Sequence, residues 1–212
     1  MIFYFYNIFF KMVLITVDGN IGSGKTSVLN YLHRNYKIPV DLEPVENWNN
    51  YLSDLYNESV NVFKFQIRVW LDRCWIQEKT QSINIFVERS PRFIQDVFIK
   101  IAEEEKMISE NEKEILFDLH KKTNQSWENA IQIMLRSSSE NCYKRIKKRN
   151  RESEVQITEE YLKKLHEKHE ILCEQLKKEN KQIIIIDVDN KSTSEVASEI
   201  LQLTNEYLNQ NI

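Results

Sequence analysis

An eight-residue stretch from Gly19 to Thr26 constrains this chain more than any other part of its sequence. It reads Gly-Asn-Ile-Gly-Ser-Gly-Lys-Thr and fits the pattern G-x-x-x-x-G-K-[ST]. In that pattern, backbone N–H groups curl around phosphate oxygens at the N-terminus of a helix, because glycine allows a close approach. The stretch contains all three glycines of the 212-residue chain. An ordinary glycine-rich turn is therefore disfavoured, since the chain does not use glycine for routine turns.

The flanking residues agree with a phosphate-binding loop. Residues 13–17 read as a buried strand before the loop, and residues 26–36 read as a helix after it. Lys25 is expected to reach the β- and γ-phosphates, and Thr26 is expected to hold Mg²⁺. The residues expected to bind ATP here are Gly19, Asn20, Ile21, Gly22, Ser23, Gly24, Lys25, Thr26 and Ser27.

Length and composition favour one α/β domain, which we expect to span residues 12–212. The chain is 42% hydrophobic and 29% charged, and its net charge of −3 offers no basic field for a nucleic acid polymer. Three cysteines, Cys74, Cys142 and Cys173, lie far apart and form no C-x-x-C pair. A reducing interior, and hence a cytoplasmic location, is the simplest interpretation.

Residues 1–11 form an apolar N-terminal extension to which we assign no function. The apolar run is too short to span a membrane, which takes roughly 20 residues. It lacks the basic region and the small-residue cleavage site of a secretory signal. Met12 stands directly before the first predicted strand, so an alternative is that translation starts there.

Short β-branched runs alternate with helical stretches along the rest of the chain. This alternation predicts a parallel sheet with helices on both faces. The five predicted strands are residues 13–17, 40–42, 83–87, 131–135 and 183–186. Further helices are predicted over 61–82, over 101–122, from the Ser137-Ser138-Ser139-Glu140 cap to Arg149, and over 159–179.

Two predicted strands end in residues suited to phosphoryl transfer. The ligand crevice of an open α/β sheet lies beyond the carboxyl ends of its strands. Glu43 follows the second strand and is placed to take the proton of an attacking hydroxyl group. Glu88 and Arg89 follow the third, where the acid suits Mg²⁺ and the arginine suits the charge on the transferred group. The alternatives are a solvated glutamate and a surface ion pair.

A basic run and an aromatic group complete the candidates. Arg145 and Arg149 are four residues apart and share a helix face, from which a lid brings both to the triphosphate. The alternative is a solvated basic face. Trp48, Phe65, Gln66, Arg73 and Phe98 predict an aromatic cleft around an amide that pairs with a base edge; the alternative is ordinary core packing.

Taken together, these motifs resemble the deoxyribonucleoside kinase family. The resemblance covers residues 13–189 and includes the phosphate loop, Glu43-Pro44 with Trp48, Phe65-Gln66, Glu88-Arg89-Ser90, the arginines, and Tyr161-Leu162 with His169-Glu170. It implies a P-loop kinase fold, with a five-stranded parallel sheet in the order 2-3-1-4-5 and an arginine-bearing lid. It also implies transfer of the ATP γ-phosphoryl group to a deoxynucleoside 5′-hydroxyl, and a homodimer packed through helices.

The resemblance also implies roles for individual residues. Glu43 is the base that activates the sugar 5′-hydroxyl, Arg89 contacts that end of the acceptor, and Thr26 and Glu88 hold Mg²⁺. Arg145, Arg149 and Arg151 are the lid arginines, and with Lys25, Glu43 and Arg89 they are the expected catalytic residues. The residues that it places around the acceptor are Glu43, Trp48, Tyr56, Phe65, Gln66, Arg73, Arg89, Ile94, Phe98 and Glu154. Tyr56 and Glu154 hold the 3′-hydroxyl, and residues 187–192, including Asp187, Val188 and Asp189, lie near the donor's adenine.

Two departures limit what the resemblance implies, one about the sugar contact of Tyr56 and one about the base. Tyr56 stands one residue nearer Gln66 than is usual, and Ile94 replaces the usual acidic partner of Arg73. Arginine at 73 is typical of the deoxycytidine and deoxyguanosine kinases, whereas an apolar residue at 94 is typical of the thymidine-accepting relatives, so the pocket is a hybrid. A buried Arg73 without a partner is costly, and we expect broad or pyrimidine-leaning specificity. Two other interpretations stay open: a nucleoside monophosphate kinase of the thymidylate kinase type, and a non-catalytic nucleotide-binding module.

Overall fold

The computed structural model describes residues 14–56, 62–74, 85–124, 127 and 129–210, so the extension 1–11 lies outside the described residues. Five strands form one sheet in the order β2-β3-β1-β4-β5, and every neighbouring pair is parallel. The predicted fold class and strand order are confirmed. The strands are β1 Leu14–Gly19, β2 Val40–Asp41, β3 Ile85–Glu88, β4 Ile131–Arg136 and β5 Ile183–Asp187.

Helices follow the strands along the chain. They are α1 Lys25–Tyr36, α2 Val45–Tyr56, α3 Val62–Arg73, α4, α5 Glu110–Asn124, α6 Ser139–Arg149, α7 Glu159–Lys178 and α8 Thr193–Gln210. Here α4 comprises the consecutive segments Pro91–Phe93, Ile94–Ile99 and Lys100–Glu104, of which the second is π-helical. A 3₁₀ turn, Glu152–Glu154, lies between α6 and α7.

Both faces of the sheet are covered, as the alternation of strands and helices predicts. On one face, Val17 of β1 packs in a buried cluster with Leu29 of α1 and Ile200 of α8. On the other face, Met134 of β4 packs with Leu165 of α7. The two layers fix the carboxyl ends of the strands relative to the N-terminus of α1, where the phosphate loop lies.

The prediction of one helix over 101–122 is wrong, because the chain breaks between α4 and α5. Lys106 has a left-handed φ of 56°, and Met107 N–H donates to the carbonyl of Ala102, which closes the end of α4. Ser109 then starts α5: its Oγ accepts from Glu112 N–H, while Glu112 Oε2 accepts from Ser109 N–H. This reciprocal capping box is encoded in the sequence as Ser-x-x-Glu.

Other predicted elements are confirmed within one or two residues. Ser138 caps α6 by accepting a hydrogen bond from Asn141 N–H at 3.3 Å, and α7 covers nearly all of 159–179. Within the predicted helix 61–82, the structure describes only α3 and Cys74. No described helix is both long and apolar enough to cross a membrane.

Candidate active site

The phosphate loop joins the end of β1 to α1, and its backbone admits only glycine at two positions. A Cβ at Gly19, where φ is +140°, would lie 2.6 Å from the carbonyl oxygen of Leu135. A Cβ at Gly22, where φ is +82°, would lie 2.7 Å from the carbonyl oxygen of Cys142. The loop therefore packs against the end of β4 and the first turn of α6 at backbone distance.

Asn20 and Lys25 organise the loop from inside. Asn20 Nδ2 donates to the carbonyl of Leu162 at 2.8 Å and its Oδ1 accepts from Ile21 N–H, so the loop is tied to α7. Lys25 Nζ donates to the carbonyls of Gly19 and Asn20, at 3.2 and 3.0 Å. Burial, together with the nearby charge of Arg89, lowers the pKa of Lys25 to about 8.

Three oxygen-bearing groups meet beside Lys25. Thr26 Oγ1 donates to Glu88 Oε1 at 2.7 Å, and Glu43 N–H donates to Glu88 Oε2 at 3.2 Å. Hydroxyl and carboxylate oxygens are the donors that Mg²⁺ prefers, and one or two protein ligands beside substrate phosphates suffice for it. Thr26 and Glu88 therefore fit the predicted Mg²⁺ position, although no group of three or more His, Cys, Asp or Glu side chains occurs among the described residues.

Arg89 links this carboxylate group to the aromatic part of the site. Its Nε donates to Glu43 Oε1 at 2.5 Å, and its guanidinium carbon lies 4.4 Å from the centre of the Phe98 ring. Burial opposes ionisation of Glu43, but the charges of Arg89 and Lys25 outweigh it and lower the Glu43 pKa. Burial and the charge of Glu43 raise the pKa of Glu88. The pKa values of these two neighbouring carboxyl groups are therefore shifted in opposite directions.

Sequence reasoning missed Asp18, which lies within β1 directly before the loop. Its Oδ1 accepts from Ser90 N–H at 2.8 Å and its Oδ2 accepts from Thr16 Oγ1 at 2.9 Å. Burial raises the Asp18 pKa. The contact fixes the turn after β3, where Arg89 adopts a left-handed φ of 70°. An acidic residue inside an apolar strand was the available signal.

A single cleft connects the loop with the aromatic side chains. It encloses about 890 Å³, including space open to solvent. Its lining is Ile21, Gly22, Lys25, Thr26, Glu43, Val45, Trp48, Phe65, Gln66, Val69, Glu88, Arg89, Ile94, Phe98, Arg149, Arg151, Ser153, Glu154, Ile157 and Tyr161. Most of the predicted site residues are thereby brought together.

The far end of the cleft is apolar around one amide. Trp48 and Phe65 meet edge to face with ring centres 5.9 Å apart, and Trp48 Nε1 donates to Asp72 Oδ2. Gln66 is 6% exposed, and its Oε1 accepts no hydrogen bond from the described residues. Because Gln66 lines the cleft, this buried acceptor is available to a donor on a bound molecule.

Arg73 does not line the cleft, and the expectation that it lacks an acidic partner is wrong. The side chain is 1% exposed and forms an ion pair with Asp41, with Nη1 2.6 Å from Oδ2. Ile94 does line the cleft and is buried. The sequence interpretation failed because the partner comes from β2 rather than from the position of Ile94 on α4.

The arginines at the end of α6 separate into two groups. Arg149 forms a bidentate pair with Glu154, with both N–O distances at 2.5 Å, and Arg151 Nη1 lies 3.6 Å from the same carboxylate. Arg145 instead contacts the carbonyl oxygens of Gly22 and Ser23, at 3.5 and 3.4 Å. Only Arg149 and Arg151 line the cleft, whereas Arg145 packs against the loop.

The remaining predicted residues lie outside the cleft lining. Asp189 accepts hydrogen bonds from Ser137 Oγ and Ser138 N–H, and Val188 is buried in the core. Asp187 is exposed at the end of β5, and Ser27 is exposed on α1. The side chain of Tyr56, at the end of α2, lies outside the described residues.

Comparisons with known proteins identify the family of this chain. Residues 15–209 match the family model described as deoxynucleoside kinase. A Fowlpox virus protein named as a probable deoxycytidine kinase is 31% identical, over 74% of this chain and 69% of its own. Mitochondrial thymidine kinase 2 of Homo sapiens is 28% identical, over 76% and 64%. Deoxycytidine kinase 1 of Xenopus laevis is 29% identical, over 76% and 73%.

Proposed function

Because this chain belongs to the deoxynucleoside kinase family, an ATP-dependent family of nucleotide salvage, we propose a specific reaction for it. The enzyme transfers the γ-phosphoryl group of ATP to the 5′-hydroxyl of a deoxyribonucleoside and yields the 5′-monophosphate and ADP. One observation carries the proposal: Lys25 and Thr26, the Glu43–Arg89 ion pair and Gln66 all line the same cleft.

Glu43 accepts the proton of the acceptor hydroxyl. As that proton leaves, a bond forms between the 5′-oxygen and the γ-phosphorus, and the bond from the γ-phosphorus to the β–γ bridging oxygen breaks. The lowered pKa keeps Glu43 ionised near neutral pH but makes it a weak base. Such a base suffices in a loose transition state, where positioning and charge stabilisation supply most of the rate.

The cations of the cleft match the charge of the transferred group. Lys25 and the loop N–H groups hold the β- and γ-phosphates, while Arg89, Arg149 and Arg151 face the same space. Arg145 supports the phosphate loop by donating to the carbonyl oxygens of Gly22 and Ser23. Thr26 and Glu88 hold Mg²⁺, which neutralises phosphate charge when bound.

The base end of the cleft supports broad or pyrimidine-leaning specificity. Gln66 both donates and accepts, so it pairs with the N3–O4 edge of thymine and, after a flip, with the N3–N4 edge of cytosine. The other walls there, Val69, Ile94 and Phe98, are apolar. Relatives named as deoxycytidine and thymidine kinases agree with a pyrimidine. Glu154, together with Tyr56, holds the 3′-hydroxyl.

The test is a phosphotransfer assay with ATP, Mg²⁺ and the four natural deoxynucleosides, with their monophosphates as a parallel panel. We expect turnover of deoxynucleosides, with deoxycytidine and thymidine among the best. A strict preference for deoxyguanosine contradicts the base proposal. Turnover of monophosphates alone would favour the thymidylate kinase alternative, which the carboxylates Glu43 and Glu88 disfavour because they would repel an acceptor phosphate.

A homodimer packed through helices is part of the same proposal. Leu71 of α3 and Ile115 of α5 are each 48% exposed, on helices that pack against each other through a shared cluster. Large exposed apolar side chains of this kind suit an interface with a second copy. A cytoplasmic, reducing location agrees with three unpaired, buried cysteines. Light scattering of Leu71→Glu and Ile115→Glu variants tests the dimer, and monomers are expected.

A further inference from the structure

The strand that delivers Glu43 has little hydrogen bonding of its own. β2 has two residues and lies at the edge of the sheet, where Val40 and Asp41 pair with Phe86 and Val87 of β3. Glu43 lies two residues beyond this ladder. A two-residue edge strand is weakly specified in register, so its carboxyl end needs a contact beyond the ladder, besides those that Glu43 itself makes with Glu88 and Arg89.

Arg73 supplies that contact from the last residue of α3. Its Nη1 donates to the carbonyl of Leu42 at 3.1 Å, and its Nη2 donates to the carbonyl of Glu88 at 2.8 Å and contacts that of Asp41 at 3.4 Å. The guanidinium group thus bridges the backbones at the ends of β2 and β3. One of these carbonyls precedes Glu43, and another belongs to Glu88 itself.

Asp41 makes the burial of this arginine tolerable. The Arg73 side chain is 1% exposed and that of Asp41 is 33% exposed, with 2.6 Å between Nη1 and Oδ2. A buried guanidinium that loses its carboxylate partner is strongly disfavoured and would move toward solvent or another charge. Glu43 is a carboxylate close enough to attract it, because the charge of Arg73 is among the causes that lower the Glu43 pKa.

We propose that Asp41 and Arg73 form a positioning pair, which holds Glu43 and Glu88 in register through their backbones without contacting either substrate. The pair acts on the chemical step and leaves the choice of base to the cleft lining. This inference rests on the proposed kinase activity, and it departs from the sequence-based assignment of Arg73 to the substrate pocket.

The experiment compares Asp41→Asn with the wild type in steady-state assays on all four deoxynucleosides. Asparagine keeps the shape of the side chain and removes its charge. We expect kcat to fall roughly 10- to 100-fold, as a displacement of about 1 Å at a reacting group causes. The acceptor KM and the rank order of the four bases stay nearly unchanged, and Asp41→Glu restores part of kcat.

Glu179→Gln is the matched control. Glu179 is as exposed as Asp41, at 33%, and also pairs with an arginine of another element, Arg92 of α4. Arg92 is 28% exposed, so its pair is less buried than that of Arg73, and neither residue lines the cleft. We expect its kcat to stay at the wild-type level when normalised to the folded fraction measured by circular dichroism. If Asp41→Asn does not fold, Arg73→Lys gives the same measurement, because it keeps the charge opposite Asp41 and loses the bridging geometry.

The outcomes separate this inference from the proposed function. A wild-type protein that phosphorylates no deoxynucleoside would reject the kinase reaction. An active wild type with a folded Asp41→Asn variant of unchanged kcat would overturn the positioning pair. A changed rank order of bases would also overturn it, since Arg73 would then act on the acceptor directly.

Discussion

At the scale of single residues, Glu43 is held from two sides. Its carboxylate binds Arg89, and its backbone N–H binds the carboxylate of Glu88. Both contacts persist in an amide of the same shape, so the loss of the negative charge is separable from the loss of position.

We therefore expect Glu43→Gln to lower kcat by roughly 10²–10⁴-fold with little change in the ATP KM. The glutamine fills the same space but cannot accept the proton. Rapid-quench measurement of a single turnover checks the chemical step. Glu46→Gln, an exposed substitution three residues further along on α2, serves as the control and should keep full activity. Turnover close to the wild-type rate in Glu43→Gln would contradict the assignment.

The sequence predicts those parts of the site that are formed by residues close together in the chain. The phosphate loop and the acids at two strand ends could be recognised because the chemistry and the backbone signal occupy a few consecutive residues. The Asp41–Arg73 pair joins residues 32 positions apart on β2 and α3, and no local pattern encodes it.

At the scale of elements, the phosphate loop is shaped by what packs behind it. Gly22 touches the backbone of α6, whereas the position of a Cβ at Gly24 meets nothing within 4 Å. Both glycines have positive φ, 82° and 101°. Alanine substitutions at Gly22 and Gly24 therefore distinguish the cost of backbone strain, which both have, from the cost of a clash with α6, which only Gly22 has.

Gly22→Ala should be the more damaging of the two alanine substitutions. Both pay a backbone cost of about 1–3 kcal/mol, and Gly22→Ala must in addition push the loop away from Cys142. We expect a lower melting temperature and weaker ATP affinity than in Gly24→Ala, measured by calorimetry on both proteins. Equal effects would show that the contact with α6 is unimportant.

Some helices and helix ends could not be predicted from the sequence. The break between α4 and α5 depends on Lys106 in a left-handed conformation, which glycine or asparagine usually marks and lysine does not. The helices α2 and α8 were not predicted, although Val196, Ala197 and Ile200 of α8 complete the core cluster on α1. Their apolar residues are spaced for a helix, but the partner surface becomes visible only in the fold.

At the scale of the whole molecule, two buried histidines make the fold sensitive to acid. Burial lowers the pKa of His120 to about 4 and that of His169 to about 3, from an ordinary value of 6.5. Between these values and 6.5, the unfolded chain binds protons that the folded chain does not. The part of the stability that depends on these two histidines is therefore complete above about pH 6.5 and falls as the pH drops toward 3.

His120→Leu should flatten this dependence. As the pH falls through its window, each histidine lowers the free energy of unfolding by up to about 1.4 kcal/mol per pH unit. The variant lacks the decrease that His120 causes between pH 6.5 and 4, so its stability depends less on pH there. Urea unfolding at several pH values measures the slope. Leu116→Ala, on the same helix and equally buried, should lower stability by the same amount at every pH. Parallel curves for His120→Leu and wild type would contradict this expectation.

The pairing of Arg149 with Glu154 has a thermodynamic consequence for how the binding of one substrate affects the affinity of the other. Arg149 and Glu154 bind each other in the structure. In the proposed reaction, Glu154 binds the sugar hydroxyl and Arg149 binds the triphosphate, so each side chain competes with one substrate for its partner. A ligand that takes either partner frees the other, so the affinity of each substrate should rise when the other is bound, and by the same factor. Titration calorimetry of thymidine with and without a non-hydrolysable ATP analogue measures this factor. Arg149→Gln, which lacks the ion pair with Glu154, should abolish it.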